Sequence, residues 1–234
     1  LHLSFIPMSW ITAPIHVIDF EGSRHSGVVE YGVATLAGGN ILATHTRLCA
    51  ASGPVDPSES SVHGLREQDI RHAVPFSADF PLFAALRQAG PLAAHHAPVE
   101  RGLLRRVWPV PSPVPDFVAP DPAAAPRLSD WGPWIDTRRL YENLRPGCPS
   151  YQLLDLVRAF SLEAELAALA AQHCPARRRQ PHCALYDALA AALLLAALAR
   201  QPHFAAFSLS WLLAQSAPPE AADRLRQGAL DFDA

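Results

Sequence analysis

Two periods of hydrophobic and polar positions run along this chain. Towards its N-terminal end the pattern is that of strands. His16-Val-Ile-Asp-Phe20, Val28 to Leu36 and Ile41 to Arg47 are β-rich runs, and Gly38-Gly39-Asn40 supplies a tight turn between the last two. Together they predict an antiparallel meander. The pattern then changes to helix, strand, helix, strand over Phe80 to Gln88, Pro91 to His96, Glu100 to Val107 and Trp134 to Asp136. That alternation predicts an α/β sheet covered by helices. Leu153 to Phe160, Glu163 to Gln172, Ala184 to Arg200 and Ala205 to Gln215 follow as helices, and Pro218 to Ala234 reads as an amphipathic helix with a frayed tail.

Seven prolines between Pro109 and Pro126 block both helix and central strand, so residues 109–133 read as an irregular insertion. Trp108, Trp131 and Trp134 flank it, and burying the ends of the loop is their expected use. The 234 residues fit one domain with insertions: a leader over 1–15, a main domain over 16–200, and a helical extension over 201–234. The apolar run Ala184 to Ala199 falls short of the roughly 20 residues that cross a bilayer. It also carries Asp187, so it predicts a buried helix and no membrane partner.

Composition narrows the function classes only a little. A formal charge of -3 excludes a uniformly basic coat for nucleic acid, but it suits an acidic site neutralised by cations. No lysine occurs, which fits compositional bias rather than chemistry. Cys49, Cys148, Cys174 and Cys183 are irregularly spaced in a chain too large to need staples, which predicts a reducing, cytoplasmic location.

The candidate chemistry lies in the acids. Asp19 and Glu21 end an apolar run at i and i+2, so a strand would turn both carboxylates to one face. Like charges that close repel, and a divalent cation with hard oxygen ligands relieves them. By itself an Asp-x-Glu at a strand end is a weak signal. Asp187 opens an otherwise apolar helix five residues after His182; interaction with the helix dipole is its simplest structural use. Glu100 opens another helix after His95 and His96, which read as packing and hydrogen-bonding residues.

In order and spacing these segments resemble the DEDDh family of 3'-5' exonucleases. Ile18-Asp19-Phe20-Glu21 matches the first family motif, His95-His96-Ala97-Pro98-Val99-Glu100 with Leu104 the second, and His182 to Asp187 the third. His63-Gly64-Leu65 and Asp136-Thr137 match two lesser signatures, and the resemblance spans roughly Val17 to Leu198. Glu100 stands where the family has aspartate, His96 where asparagine is usual, and Gly22 where threonine is common.

The resemblance implies a ribonuclease H-like α/β fold, a mixed five-stranded sheet with helices on both faces. It also implies two Mg2+ or Mn2+ ions held by Asp19, Glu21, Glu100 and Asp187, with His182 as general base. The substrate would be a single-stranded or frayed 3' end of DNA or RNA, the product a nucleoside 5'-monophosphate, and the assembly a homodimer by family habit. Phe20, Gly22, His63 and Leu65 are the expected contacts to the terminal nucleotide, and Arg177, Arg178 and Arg179 to its phosphates, a solvated loop being the plainer use of the arginines. Two other functions stay open: a nucleic-acid-binding module weakened in turnover by Glu100, and a phosphodiesterase acting on short oligonucleotides. His173, Cys174, His182 and Cys183 are too irregularly spaced to favour a zinc site.

Overall fold

Alternation in two buried strands organises the molecule, whose computed structural model describes residues 9–119 and 125–218. Strand β1 (Ile15–Ser23) turns Ile15 and Val17 to one face, and Ile18 and Phe20 to the other. Its antiparallel neighbour β2 (Gly27–Ala37) does the same, with Ala34 and Leu36 against Tyr31 and Val33. Both faces of both strands are therefore covered, as their nearly continuous apolar sequences require. β3 (Asn40–Leu48) pairs antiparallel with β2 and forms one edge. β4 (Leu92–Ala94) lies parallel to β1, and β5 (Trp134–Asp136) parallel to β4, giving a mixed five-stranded sheet in the order β3-β2-β1-β4-β5.

Between β3 and β4 lie α1 (Pro57–His63), α2 (Glu67–Ile70), a 3-10 turn and α3 (Phe80–Ala89). α4 (Pro98–Val107) follows β4, and α5 (Thr137–Leu144) follows β5. The C-terminal part carries α6 (Leu153–Ala159), α7 (Glu163–His173), α8 (Ala184–Ala199), α9 (Pro202–Ala205) and α10 (Leu209–Ser216). The helix expected over Ala205 to Gln215 starts only at Leu209, and a short α9 ends where it was expected to begin. Ser208 sets that start by accepting a hydrogen bond from the Trp211 N–H (3.2 Å) and capping α10.

α8 is apolar around most of its circumference, and 13 of its 16 residues are buried. A helix with no polar face belongs inside. It lies across β1 and β2, with α5, α6 and α7 packed outside it. No helix among the described residues is long and apolar enough to cross a membrane. The second core, on the opposite face, is aromatic: Phe20, Tyr31, Phe76, Phe83, Trp108 and Trp131 interlock at centroid separations of 4.7 to 5.8 Å.

The described part of the proline-rich insertion is held by backbone carbonyls rather than by regular structure. Arg87, buried on α3, donates to the carbonyls of Gly132 (3.0 Å), Leu128 (2.9 Å), Ser112 and Asp130. Trp131 donates its indole N–H to the Trp108 carbonyl (2.7 Å), and both rings are buried. Near the N-terminal end Trp10 is buried and donates to the Phe204 carbonyl (2.7 Å), so the described residues of the expected leader and of the expected extension share one core. Residues 1–8 of that leader, and the helix expected over Pro218 to Ala234 from residue 219 onward, lie outside the described residues.

One contact sets the depth of α8. A Cβ on Gly32 would fall 2.2 Å from the backbone nitrogen of Leu185, so the first turn of α8 rests directly on the backbone of β2. Gly32→Ala is expected to cost about 1–3 kcal/mol, because the sheet and helix must separate. Gly102→Ala, inside α4 with nothing within 4 Å of the added carbon, is expected to add about 0.5–1 kcal/mol. Urea denaturation of the two variants checks both signs.

Candidate active site

The strand alternation that builds the core also aims the acids. Ile15, Val17, Asp19 and Glu21 share one face of β1, so where the apolar run ends the two carboxylates project towards α8. Opposite them on β2, Asp19 pairs with Gly32 and Glu21 with Glu30. Because α8 begins on Gly32, its residue Asp187 comes down over the same point. One oxygen each of Glu21 and Asp187 and one ring nitrogen of His182 lie within 4.8 Å of one another. Glu100, in the first turn of α4 and 4% exposed, is near enough to act electrostatically on Asp19.

Charge repulsion is written into all four carboxyls. Burial raises the pKa of Asp19 well above the usual carboxylate range, and Asp187, Glu100, Glu21 and Glu30 push it further. Glu21 is raised to about 8 by burial, then by Asp187 and Glu30, with Arg178 opposing. Glu100 also reaches about 8, through burial and then, against a bond from its own backbone, through Asp136 and Glu21. Asp187 is raised by burial to only about 6, because the His182 N–H donates to it (2.9 Å). Glu100 Oε2 is buried with no hydrogen-bond partner. An orphaned carboxylate oxygen in a cluster of mutually repelling acids fits a hard divalent cation.

His182 is exposed and sits in the left-handed region at φ 58, a conformation that costs a non-glycine residue on the order of 1–3 kcal/mol. Two bonds hold it there. Its N–H donates to Asp187, and its carbonyl accepts from Arg178 (3.3 Å).

Several expected substrate contacts are engaged in packing or in backbone geometry. Phe20 is one residue out of phase with Asp19 and Glu21; it packs on Phe76 and Phe83 on the far face and cannot meet a base at the carboxylates. Leu65 is buried against Val29 and Ile70. His63 is buried at the end of α1, where its Nδ1 accepts from the Leu65 N–H (3.1 Å). Gly22 serves the backbone: at φ 124, beside a register shift, its Cβ would meet the Gly27 carbonyl at 2.0 Å. Arg178 is not a solvent-facing phosphate ligand, since its guanidinium is bound to Glu30. Arg177 and Arg179 are exposed, the latter donating to the Cys174 carbonyl (3.1 Å). His95 has the structural role expected of it, bonding Thr137 and the Tyr151 carbonyl at 2.9 Å each.

Glu30 was not singled out in the sequence, although a lone acid in the buried run Val28-Val-Glu-Tyr-Gly-Val33 carries the same signal as Asp187. A cavity of about 590 Å3 opens beside β5, lined by Ala97, Arg101, Trp134, Asp136 and Arg139. Asp19, Glu21 and Asp187 do not line it.

The mixed five-stranded sheet with helices on both faces is a fold shared with solved exonuclease structures. No family model and no curated protein matches the sequence. Solved structures do. Exonuclease X in complex with 5' overhanging duplex DNA is similar at TM-score 0.62 and 20% identity, over 87% of this chain and 99% of that one. The nuclease domain of 3'hExo, a DEDDh family member bound to rAMP, is similar at TM-score 0.57 and 14% identity, over 83% of this chain and 95% of that one. Escherichia coli Exonuclease I in complex with a dT13 oligonucleotide gives TM-score 0.58 at 15% identity, over 82% of this chain and 42% of that one.

The raised pKa values fix the sign of a pH dependence. Glu21 and Glu100 hold protons up to about 8 when folded but release them near 4 when unfolded, so the folded chain binds more protons across that window. Stability without cations is therefore greatest below about pH 4, as far as these groups are concerned, and is lost as pH rises through about 8. Calorimetry in EDTA is expected to show a falling Tm from pH 5 to 9, with Mn2+ restoring it and Glu100→Gln flattening the slope.

Proposed function

We propose that this protein is a metal-dependent 3'-5' exonuclease that hydrolyses DNA or RNA from single-stranded or frayed 3' ends and releases nucleoside 5'-monophosphates. The observation that carries the proposal is the approach of Glu21, Asp187 and the exposed imidazole of His182 within 4.8 Å of one another, with Asp19 and Glu100 buried near enough for the acids to raise one another's pKa. DNA and RNA ligands in the similar structures support the substrate class.

In this reading Asp19, Glu21 and Asp187 hold one Mg2+ or Mn2+, and Asp19 with Glu100 a second. The bound ions supply Lewis-acid activation of water and charge stabilisation at the departing 3' oxygen. The chain supplies the rest. His182 accepts a proton as the water oxygen bonds to phosphorus, and the bond from phosphorus to the 3' oxygen breaks, that oxygen leaving as a hydroxyl with a proton from solvent. Asp187 accepts from the His182 backbone N–H, so one residue would serve both the cation and the placement of the base. Glu100, buried in the first turn of α4, would reach the second ion with its longer side chain. Arg177 and Arg179, exposed ahead of His182, remain the contacts for incoming phosphates.

Digestion of labelled single- and double-stranded DNA and RNA with Mg2+ or Mn2+ tests the proposal. Mononucleotide release is expected, abolished in Asp19→Ala and Asp187→Ala, and reduced about 100- to 10,000-fold in His182→Ala. Undiminished cleavage in the aspartate variants would sink the site assignment. Oligonucleotide binding without product at any cation concentration would favour the binding-module alternative, which activity restored by Glu100→Asp would support. A rate far higher on dinucleotides than on long strands would favour the short-oligonucleotide phosphodiesterase.

A further inference from the structure

The Glu30–Arg178 pair joins three parts of the molecule beside the candidate active site. Glu30 is 2% exposed on β2, directly across from Glu21. Its Oε1 accepts from Arg178 Nε (3.0 Å), and its Oε2 accepts from Arg178 Nη2 and from the backbone N–H of Ala184, the first residue of α8 (3.2 Å). Arg178 then spends its remaining reach on two carbonyls: Nη1 donates to His63 at the end of α1 (2.6 Å), and Nη2 to His182 (3.3 Å). One planar guanidinium thus ties sheet, helix end and loop. Its fork geometry suits that task, and a lysine ammonium cannot reproduce it.

We infer that Glu30 and Arg178 are positioning residues, a buried latch that holds the loop bearing His182 over the carboxylates. The inference rests on the reading of His182 as the proton acceptor. With its N–H on Asp187 and its carbonyl on Arg178, His182 has the peptide groups on both sides fixed, which keeps a non-glycine residue at φ 58 and aims its ring. Glu30 supplies the anchor and also caps the first turn of α8, so loop and helix are referenced to the same carboxylate. Arg178 acts on the chemistry through His182 and not by binding phosphate.

Two measurements test the latch with the Mg2+-loaded protein. Kinetics on a single-stranded oligonucleotide are expected to show kcat reduced about 10- to 100-fold in Arg178→Lys and Glu30→Gln, with KM and its salt dependence unchanged. A raised KM with a shallower salt slope and an unchanged kcat would instead make Arg178 a phosphate ligand and overturn the latch. NMR of the wild-type chain is independent of activity: a slowly exchanging Arg178 Nε–H and a protected Ala184 amide are expected, against fast exchange for the exposed Arg177 Nε–H. Fast exchange at Arg178 and Ala184 overturns the latch even if the variants fail to fold. Absence of product from the wild type strikes the functional proposal alone, and the NMR result then decides the latch by itself.

Discussion

Everything at this site depends on the close seat of α8 on β2. The first turn of the helix touches backbone at Gly32, where any side chain would stand in the way. That depth brings Asp187 to Glu21 and puts the Ala184 N–H within reach of Glu30. It also lets an almost wholly apolar helix bury itself against two strands that are buried on both faces. Packing and chemistry therefore share one constraint: a shallower helix would lose core contacts and separate the acids together.

The electrostatic consequence is a cluster held together against its own repulsion. Four carboxyls are buried or brought close because the hydrophobic core places them there, not because they attract. Their raised pKa values measure that conflict, burial being the first cause in each. The conflict is not uniform. Glu21 and Asp187 have Arg178 opposing the rise, whereas only acids act on Glu100 from other residues. Asp136 adds to the strain there: its Oδ1 caps α5, while its Oδ2 has no hydrogen-bond partner and only Arg139 stands near it, at 3.9 Å.

Much of this was legible in the sequence wherever a short-range rule decides the outcome. The i, i+2 rule gave Asp19 and Glu21 a common face, and the lone acid in an apolar helix marked Asp187. The same rule, applied one residue along, would have turned Phe20 away from the site. α5 was missed although Thr137, Leu140, Tyr141 and Leu144 follow helical spacing behind the Asp136 cap. α1 has clear end signals in Asp56, Pro57 and Gly64, but no apolar stripe between them to suggest a helix. Arg178 was misjudged for a different reason: within Arg177-Arg178-Arg179 nothing local distinguishes the buried member, and its partner Glu30 is 148 residues away. Long-range ion pairs leave no periodicity to read.

That last case bears on how an acidic site tolerates a counter-charge at all. An arginine free to swing among the carboxylates would compete with divalent cations for the same oxygens. Here Arg178 is bound through Nε and both Nη atoms, to Glu30 and to two carbonyls, so its charge is felt by Glu21 and Asp187 while its hydrogen bonds go elsewhere. Glu30 is what keeps the two roles apart. It absorbs the guanidinium in a paired, fully bonded geometry, the condition under which a buried charge is tolerated. The Glu21 and Asp187 oxygens gain the field of a cation without surrendering their coordination sites to it. The acid that the sequence did not advertise is therefore the one that keeps the guanidinium off Glu21 and Asp187.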